Sequence, residues 1–160
     1  MRIGSMSVVL VCVLTGVAAD EPKKQALVAK ELKLLEGTWK VVSIVQAGKE
    51  QPEDTLGETM TFKGGKLTER GNQEDDEDES RQFRLDPTCD PKVIDFDEAN
   101  KDFRDADEVV EGVYRLDGDT LTICINWESG RGAVKGNRPT ALESKEGTSA
   151  RLITFKRQKH

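Results

Sequence analysis

The sequence is poor in the side chains on which most enzymes and metal sites depend. It has three cysteines and one histidine, His160, which is the last of its 160 residues. A zinc site usually needs several His or Cys ligands, and a serine or cysteine nucleophile needs a nearby base. The sequence also lacks a Gly-x-Gly-x-x-Gly motif and a Gly-Lys-Ser/Thr phosphate loop. It therefore predicts a protein that is not an enzyme and that holds no metal or cofactor. A hydrolase built on paired carboxylates is the catalytic alternative, because acids are abundant.

Positive charge is in the minority. There are 24 Lys and Arg against 30 Asp and Glu, which gives a net charge of −6. Nucleic-acid binding needs a basic footprint, and attachment to anionic lipid needs a basic cluster, so neither is expected. Six of the acids follow one another from Glu74 to Glu79. Such a run repels itself and predicts a solvated loop, with a calcium site as the alternative because carboxylate oxygens suit that ion.

Only one long apolar run is present, and it lies at the start. Residues 1–19 contain Arg2, an apolar stretch from Val8 to Leu14, and small residues up to Ala19. This order is typical of a secretory signal cleaved near Ala19, and an uncleaved anchor is the alternative. We therefore expect an exported protein, periplasmic or extracellular, that meets the membrane only through this segment and is a monomer.

The mature chain would keep two cysteines, Cys89 and Cys124. In an exported protein these can be oxidised to a disulfide, because the compartments outside the cytosol are oxidising. A disulfide requires their Cα atoms to lie within about 7 Å of each other. Cys89 is predicted in a turn and Cys124 in the middle of a strand. The alternative is a half-buried Cys124 and an incidental Cys89.

Apolar residues recur with two different periods along the rest of the chain. Residues 20–36 have leucines at helical spacing, which predicts a short helix that packs on the domain formed by residues 37–160. The domain itself alternates with period two and is punctuated by Gly64-Gly65 and Asp117-Gly118, which are strong hairpin signals. The predicted strands are residues 38–47, 58–63, 66–70, 81–86, 92–96, 110–116, 120–127 and 150–157. Eight strands in hairpin order favour an all-β, antiparallel, up-and-down barrel, with a two-sheet sandwich as the alternative.

The segment Gly37-Thr38-Trp39 joins the predicted helix to the first strand. It resembles the start of lipocalin-type barrels, in which a Trp closes one end and an Arg late in the chain packs across it. Arg157, on the last predicted strand, is the expected partner of Trp39. Gly37, Trp39 and Arg157 are therefore predicted to be structural residues. Alternation also places Trp39, Val41, Ser43 and Val45 on one face of the strand, and the apolar residues on the opposite face suggest a strand covered on both sides.

Several blocks together resemble an uncharacterised family of small exported domains found in planctomycete bacteria. They are residues 35–43, 85–88, 91–95, 112–124, 138–140 and 155–157. The family is regarded as lipocalin-like in shape, so the resemblance implies the same barrel. It implies no activity, substrate or catalytic residue.

Two functions without catalysis remain open. The first is the binding of a small, partly apolar molecule inside the barrel, where eight strands can hold one ligand. The second is a protein-interaction or structural module, in which the same residues simply fill the core. The residues predicted to line a binding cavity are Met60, Phe62, Phe83, Phe96, Tyr114, Ile123, Trp127 and Phe155, with Arg84 or Arg115 at the mouth.

Overall fold

The computed structural model describes residues 21–52, 56–70, 79–98 and 102–159. The predicted signal segment, residues 1–19, and most of the acidic run, residues 74–78, lie outside the described residues. One α-helix precedes the strands, and a 3₁₀ turn at Ala106–Glu108 leads into the seventh of them. The elements are α1 (Glu21–Leu35), β1 (Gly37–Gln46), β2 (Lys49–Glu50), β3 (Thr59–Lys63), β4 (Lys66–Arg70), β5 (Glu79–Asp86), β6 (Lys92–Asp97), β7 (Val109–Asp117), β8 (Thr120–Glu128), β9 (Gly132–Ala133) and β10 (Ala150–Arg157).

The chain folds as a closed antiparallel barrel of eight strands. Their order around the barrel is β10-β1-β3-β4-β5-β6-β7-β8, and β8 pairs in turn with β10. The two-residue strands β2 and β9 pair antiparallel with β1 and β8, respectively. Closure leaves none of the eight strands with an open edge. The predicted small all-β barrel with one short N-terminal helix is thereby confirmed.

Glycines make the tight hairpins between strands possible. Gly64 and Gly65 join β3 to β4 with φ of 55° and 78°, and Gly118 begins the turn from β7 to β8 with φ of 56°. Two-residue hairpins of this kind need positive φ, which only glycine adopts without strain.

Strand β1 departs from simple alternation because it contains a β-bulge. Its pairing with β10 shifts by one residue between Val41 and Ser43. Trp39 and Val41 face the interior, Val42 is 40% exposed, and Ile44 is buried again. An extra residue on one strand reverses the faces that follow it. The prediction that Ser43 and Val45 share the face of Trp39, in a strand covered on both sides, is therefore wrong.

Helix α1 covers one end of the barrel, which we call the closed end. The buried Glu31 lies over this end, where its carboxylate accepts hydrogen bonds from Lys92 at 2.6 Å and from the hydroxyl of Tyr114 at 2.9 Å. Lys24 binds Asp86 at 2.6 Å, which fixes the start of the helix. Charged hydrogen bonds at Lys24 and at Glu31 thus hold the helix in place. Leu35, on the apolar side of the helix, is fully buried in the core.

Trp39 and Arg157 join the closed end to the seam between the first and last strands. They are cross-strand partners, and the guanidinium of Arg157 lies 4.1 Å from the centre of the Trp39 ring. Arg157 also donates hydrogen bonds of 2.6 Å to the carbonyls of Leu34 and Glu36, which end the helix. The indole N–H of Trp39 donates to the Leu35 carbonyl at 2.9 Å. The predicted pairing of Trp39 with Arg157 is confirmed.

Gly37 fits this arrangement for a physical reason. Its φ is 129°, and a Cβ atom there would lie 3.0 Å from a guanidinium nitrogen of Arg157. A side chain at this position would therefore be strained and would displace the arginine.

A loop of residues 134–149 covers the outer face of β7 and β8. Val113 and Cys124 are buried beneath it in a small second apolar cluster that is separate from the barrel interior. Arg138 fastens the loop, because its guanidinium lies 2.6 Å from the buried carboxylate of Asp95 and 3.0 Å from that of Glu111. Cys124 is free in this cluster, and Cys89 is free and exposed, so the structure does not pair them.

Candidate functional site

The interior of the barrel is divided into a packed half and an open half. Next to the closed end, aromatic rings fill the space, and the rings of Phe62 and Phe83 meet edge to face with their centres 5.1 Å apart. Toward the opposite end, a cavity of about 550 Å³ opens to solvent. We call the second end the open end, and the cavity is the candidate site.

Inward-facing side chains from most of the strands form an apolar floor. The floor residues are Val41, Ile44, Met60, Leu67, Phe96, Val110, Ile123, Ile125, Ile153 and Phe155. Most of them are members of the continuous core cluster, so the cavity wall is continuous with the packed half. The floor therefore offers an apolar surface on rigid strands, which suits a partly apolar molecule.

Five of the eight predicted apolar site residues line the cavity, and three do not. Met60, Phe96, Ile123, Trp127 and Phe155 lie on its wall.

The other three are core residues at the closed half. Phe62 and Phe83 pack against each other, and Tyr114 is 1% exposed with its hydroxyl bound to Glu31. Burial, together with Glu31, raises the pKa of Tyr114, so this hydroxyl stays a hydrogen-bond donor. Their prediction as ligand contacts is corrected, because the packed half of the interior leaves them no free surface.

The predicted arginines of the mouth lie elsewhere. Arg84 is exposed on the outside of the barrel, where it pairs with Asp95 at 3.0 Å and its guanidinium lies 4.5 Å from the centre of the Phe103 ring. Arg115 is also exposed, on the strand position after the inward-facing Tyr114. Neither residue lines the cavity. Period-two alternation explains the error, since each arginine is next to an inward-facing aromatic residue.

Charged side chains that the sequence reasoning missed surround the opening. The charged lining residues are Glu58, Glu69, Arg81, Glu98, Arg131, Lys135 and Arg151. Two of them could have been found from alternation alone. Arg81 lies two residues before Phe83, and Arg151 lies two residues before Ile153, so both share an inward face.

Arg81 is the centre of an ion network on one side of the opening. It binds Glu69 at 2.6 Å and Glu79 at 3.3 Å, and it also pairs with Glu98. Burial raises the pKa of the Glu69 carboxyl, while Arg81 acts in the opposite direction and Glu98 adds to the rise. Glu69 and Glu98 are paired acids of the sort that a hydrolase would need. Both already bind Arg81, and ion-pair networks of this kind commonly serve structure.

Arg151 occupies the other side of the opening and has a different environment. Its guanidinium lies 4.2 Å from the centre of the Trp127 ring. Its Nε is buried and has no hydrogen-bond partner among the described residues. Burial lowers the pKa of Arg151, with Glu58 acting in the opposite direction. Arg151 is thus a partly desolvated cation on an aromatic face at the edge of an apolar cavity.

A second, smaller cavity lies outside the barrel, beneath the loop of residues 134–149. Its volume is about 310 Å³, and its wall includes Asn126 and Arg138. Asn126 donates to the Asn137 carbonyl at 3.0 Å and accepts a hydrogen bond from Ser149 at 3.0 Å. Because its polar groups already bind each other, we take the barrel cavity as the candidate site.

The described part of the chain comprises residues 21–52, 56–70, 79–98 and 102–159. No group of three or more His, Cys, Asp or Glu side chains in these ranges is arranged to hold a metal ion. No helix within them is both long and apolar enough to span a bilayer. The calcium alternative concerns residues 74–79, of which only Glu79 is described.

Comparisons of the chain with protein families, with curated proteins and with solved structures found no match. The resemblance to a planctomycete family stays a prediction.

Proposed function

We propose that the barrel binds one small, partly apolar molecule in the cavity at its open end, without catalysing a reaction. The observation that carries this proposal is a cavity of about 550 Å³ above an apolar floor. Ligand sites typically have volumes of about 300–1,000 Å³ and combine apolar walls with a few polar groups. The site has this composition, with its charges at the opening and its aliphatic residues below.

The physical driving force would be burial of apolar surface. Side chains that line the cavity face solvent there, and a ligand would replace that contact with apolar packing. Each 100 Å² of apolar ligand surface removed from water would contribute about 2.5 kcal/mol, before the cost of association is subtracted. The floor belongs to a closed barrel, so little of the wall needs to be ordered on binding.

The alternative of an interaction module has one observation in its favour. Leu27 and Leu34 lie seven residues apart on α1, and each is 46% exposed. A filled-core module would also need an interior packed along its whole length, whereas the open half contains the cavity. The proposal of a ligand-binding barrel also includes export after cleavage near Ala19 and a monomeric state. These two parts of it rest on the sequence alone.

Fluorescence titration with N-phenyl-1-naphthylamine, a neutral apolar dye, tests the proposal. We expect saturable binding of one dye per chain. Val110→Phe should weaken it at least tenfold, because Val110 is 2% exposed and lines the cavity, so the larger ring would occupy the ligand volume. Val42→Phe makes the same change on the outer face of β1 and should leave binding unchanged.

Equal binding by both variants would place the dye outside the cavity and contradict the proposal. The absence of saturable binding to the wild-type chain would contradict it as well. If the dye binds in the cavity as expected, mass spectrometry of small molecules that copurify with the mature protein would identify the natural ligand.

A further inference from the structure

We propose that the molecule held in this cavity carries a single anionic group, which pairs with the guanidinium of Arg151 above the Trp127 ring. This inference rests on the proposed function and narrows it to one chemical class, a small amphipathic monoanion. The apolar part would lie on the aliphatic floor, and a carboxylate or sulfonate would face Arg151.

The distribution of ion pairs at the opening supports this assignment. Among the residues that the structure describes, three other cations line the cavity, and each of them pairs with a glutamate. Arg81 pairs with three, Arg131 lies 3.3 Å from Glu128, and Lys135 pairs with Glu108. Within the described part of the chain, Arg151 forms no ion pair and its buried Nε has no hydrogen-bond partner.

Strand geometry points Arg151 into the cavity. Arg151, Ile153 and Phe155 alternate along β10 and all line the cavity wall. The neighbouring strand β8 contributes Trp127, and the guanidinium of Arg151 lies 4.2 Å from the centre of its ring. An arginine supported on an aromatic ring keeps its planar donor edge free for a carboxylate.

The environment of Arg151 favours an anion over a neutral ligand. Partial burial removes part of the hydration of the Arg151 guanidinium and lowers its pKa, and Glu58 offsets this loss only in part. An anion would restore charge-assisted hydrogen bonds at low local dielectric, where they are strongest. Trp127 already occupies one face of the guanidinium, so the pairing would use its edge.

The other charges at the opening limit the ligand to one negative charge. Glu58, Glu69 and Glu98 also line the cavity. The Arg81 network neutralises Glu69 and Glu98 in part, but a dianion such as a phosphate monoester would still face these carboxylates, with Arg151 as the one unpaired cation among the described lining residues. The site therefore fits a monoanion better than a phosphate.

Two dyes that differ by one sulfonate group test the inference. 8-Anilinonaphthalene-1-sulfonate has the scaffold of N-phenyl-1-naphthylamine with one added sulfonate. In the wild-type chain we expect the anionic dye to bind about tenfold more tightly than the neutral one, which corresponds to about 1.4 kcal/mol. Arg151→Gln should abolish this preference, so that the two dyes bind the variant with affinities within about twofold of each other.

Arg131→Gln is the matched control. It removes the same charge from the same opening, but Arg131 has a side chain that is 83% exposed and already paired with Glu128. The preference for the anionic dye should therefore survive this substitution. Arg151→Lys, which keeps the charge and loses the planar fork, should retain only part of the preference and serves if Arg151→Gln does not fold.

The outcomes separate this inference from the function on which it rests. If both dyes bind the wild-type chain with equal affinity, or if Arg131→Gln removes the preference as fully as Arg151→Gln, the anionic ligand is overturned and the binding cavity stands. If the neutral dye does not bind at all, the proposed function fails and the inference fails with it.

Discussion

Replacement of Trp39 by alanine should destabilise the barrel by about 3–5 kcal/mol, the usual cost of truncating a core tryptophan. Trp39 is fully buried, and its truncation removes three interactions. The large ring leaves a cavity at the closed end. The Leu35 carbonyl loses its 2.9 Å hydrogen bond, which alone costs about 1–3 kcal/mol when the group stays buried. Arg157 loses its aromatic support, worth about 0.5–2 kcal/mol. These contributions overlap, so they do not add beyond the stated range.

Urea denaturation followed by far-ultraviolet circular dichroism measures the effect. The midpoint should fall while the slope of free energy against urea stays constant, which marks a change in stability alone. Trp39→Phe keeps an aromatic ring but removes the indole N–H, so it should cost about 1–3 kcal/mol. Val42→Ala, at an exposed position of the same strand, should change stability by less than about 0.5 kcal/mol.

A loss under about 1 kcal/mol for Trp39→Ala would refute the reasoning. It would mean that the contact between Trp39 and Arg157 does not hold the first strand, the last strand and the helix end together. An equal loss for Val42→Ala would point to a general sensitivity of β1 and would refute it too.

Three further predictions concern the closed end and the sheet. Tyr114→Phe should cost about 1–3 kcal/mol in the same assay, because Glu31 loses a buried hydrogen bond; an unchanged midpoint would contradict this. Hydrogen bonds from Lys24 first and from Thr88 second lower the pKa of Asp86 from 3.8 to about 2, so the stability that they contribute is present above about pH 4 and is lost as the pH falls toward 2. Asp86→Asn should therefore flatten the stability profile in that window and leave the profile above pH 5 parallel to wild type. Gly112→Ala should cost about 1–3 kcal/mol, since its Cβ would lie 3.0 and 3.2 Å from carbonyl oxygens of two neighbouring strands; a stability equal to wild type would disprove the close approach.

The strands could be predicted because their ends are marked in the sequence. Gly64-Gly65 and Asp117-Gly118 leave little choice of hairpin, and β4 and β10 have the predicted bounds. Alternation then fixes which side chains face inward. Where the strand is regular, as at Phe83 and Leu85, this rule succeeded.

The bulge in β1 could not be predicted by the same rule. Val41, Val42, Ser43 and Ile44 are compatible with either face, and only the pairing with β10 decides between them. Local pattern contains no information about a partner strand more than 100 residues away. The contacts of Arg138 in the loop could not be predicted for the same reason, because its partners Asp95 and Glu111 lie on distant strands.

The candidate site was predicted only in part. Alternation predicts which apolar residues face inward, but it cannot distinguish the packed half of the interior from the open half. The size of the cavity depends on how neighbouring side chains fill space, and sequence periodicity does not report that. The predicted position of Arg84 and Arg115 at the mouth is wrong for a different reason, since alternation already places both residues on the outer face. The same alternation would have identified Arg151.

The double pairing of β10 also sets an order of events during folding. Strand β1 is made early, yet its partner β10 begins at Ala150, roughly 100 residues after β1 ends. At a synthesis rate of about 5–20 residues per second, β1 waits about 5–20 s for that partner. Until then β1 and β8 each expose an unpaired edge, and such edges pair readily with other chains. A nascent chain stalled before Ala150 should therefore associate with its own copies, whereas the complete chain closes on itself.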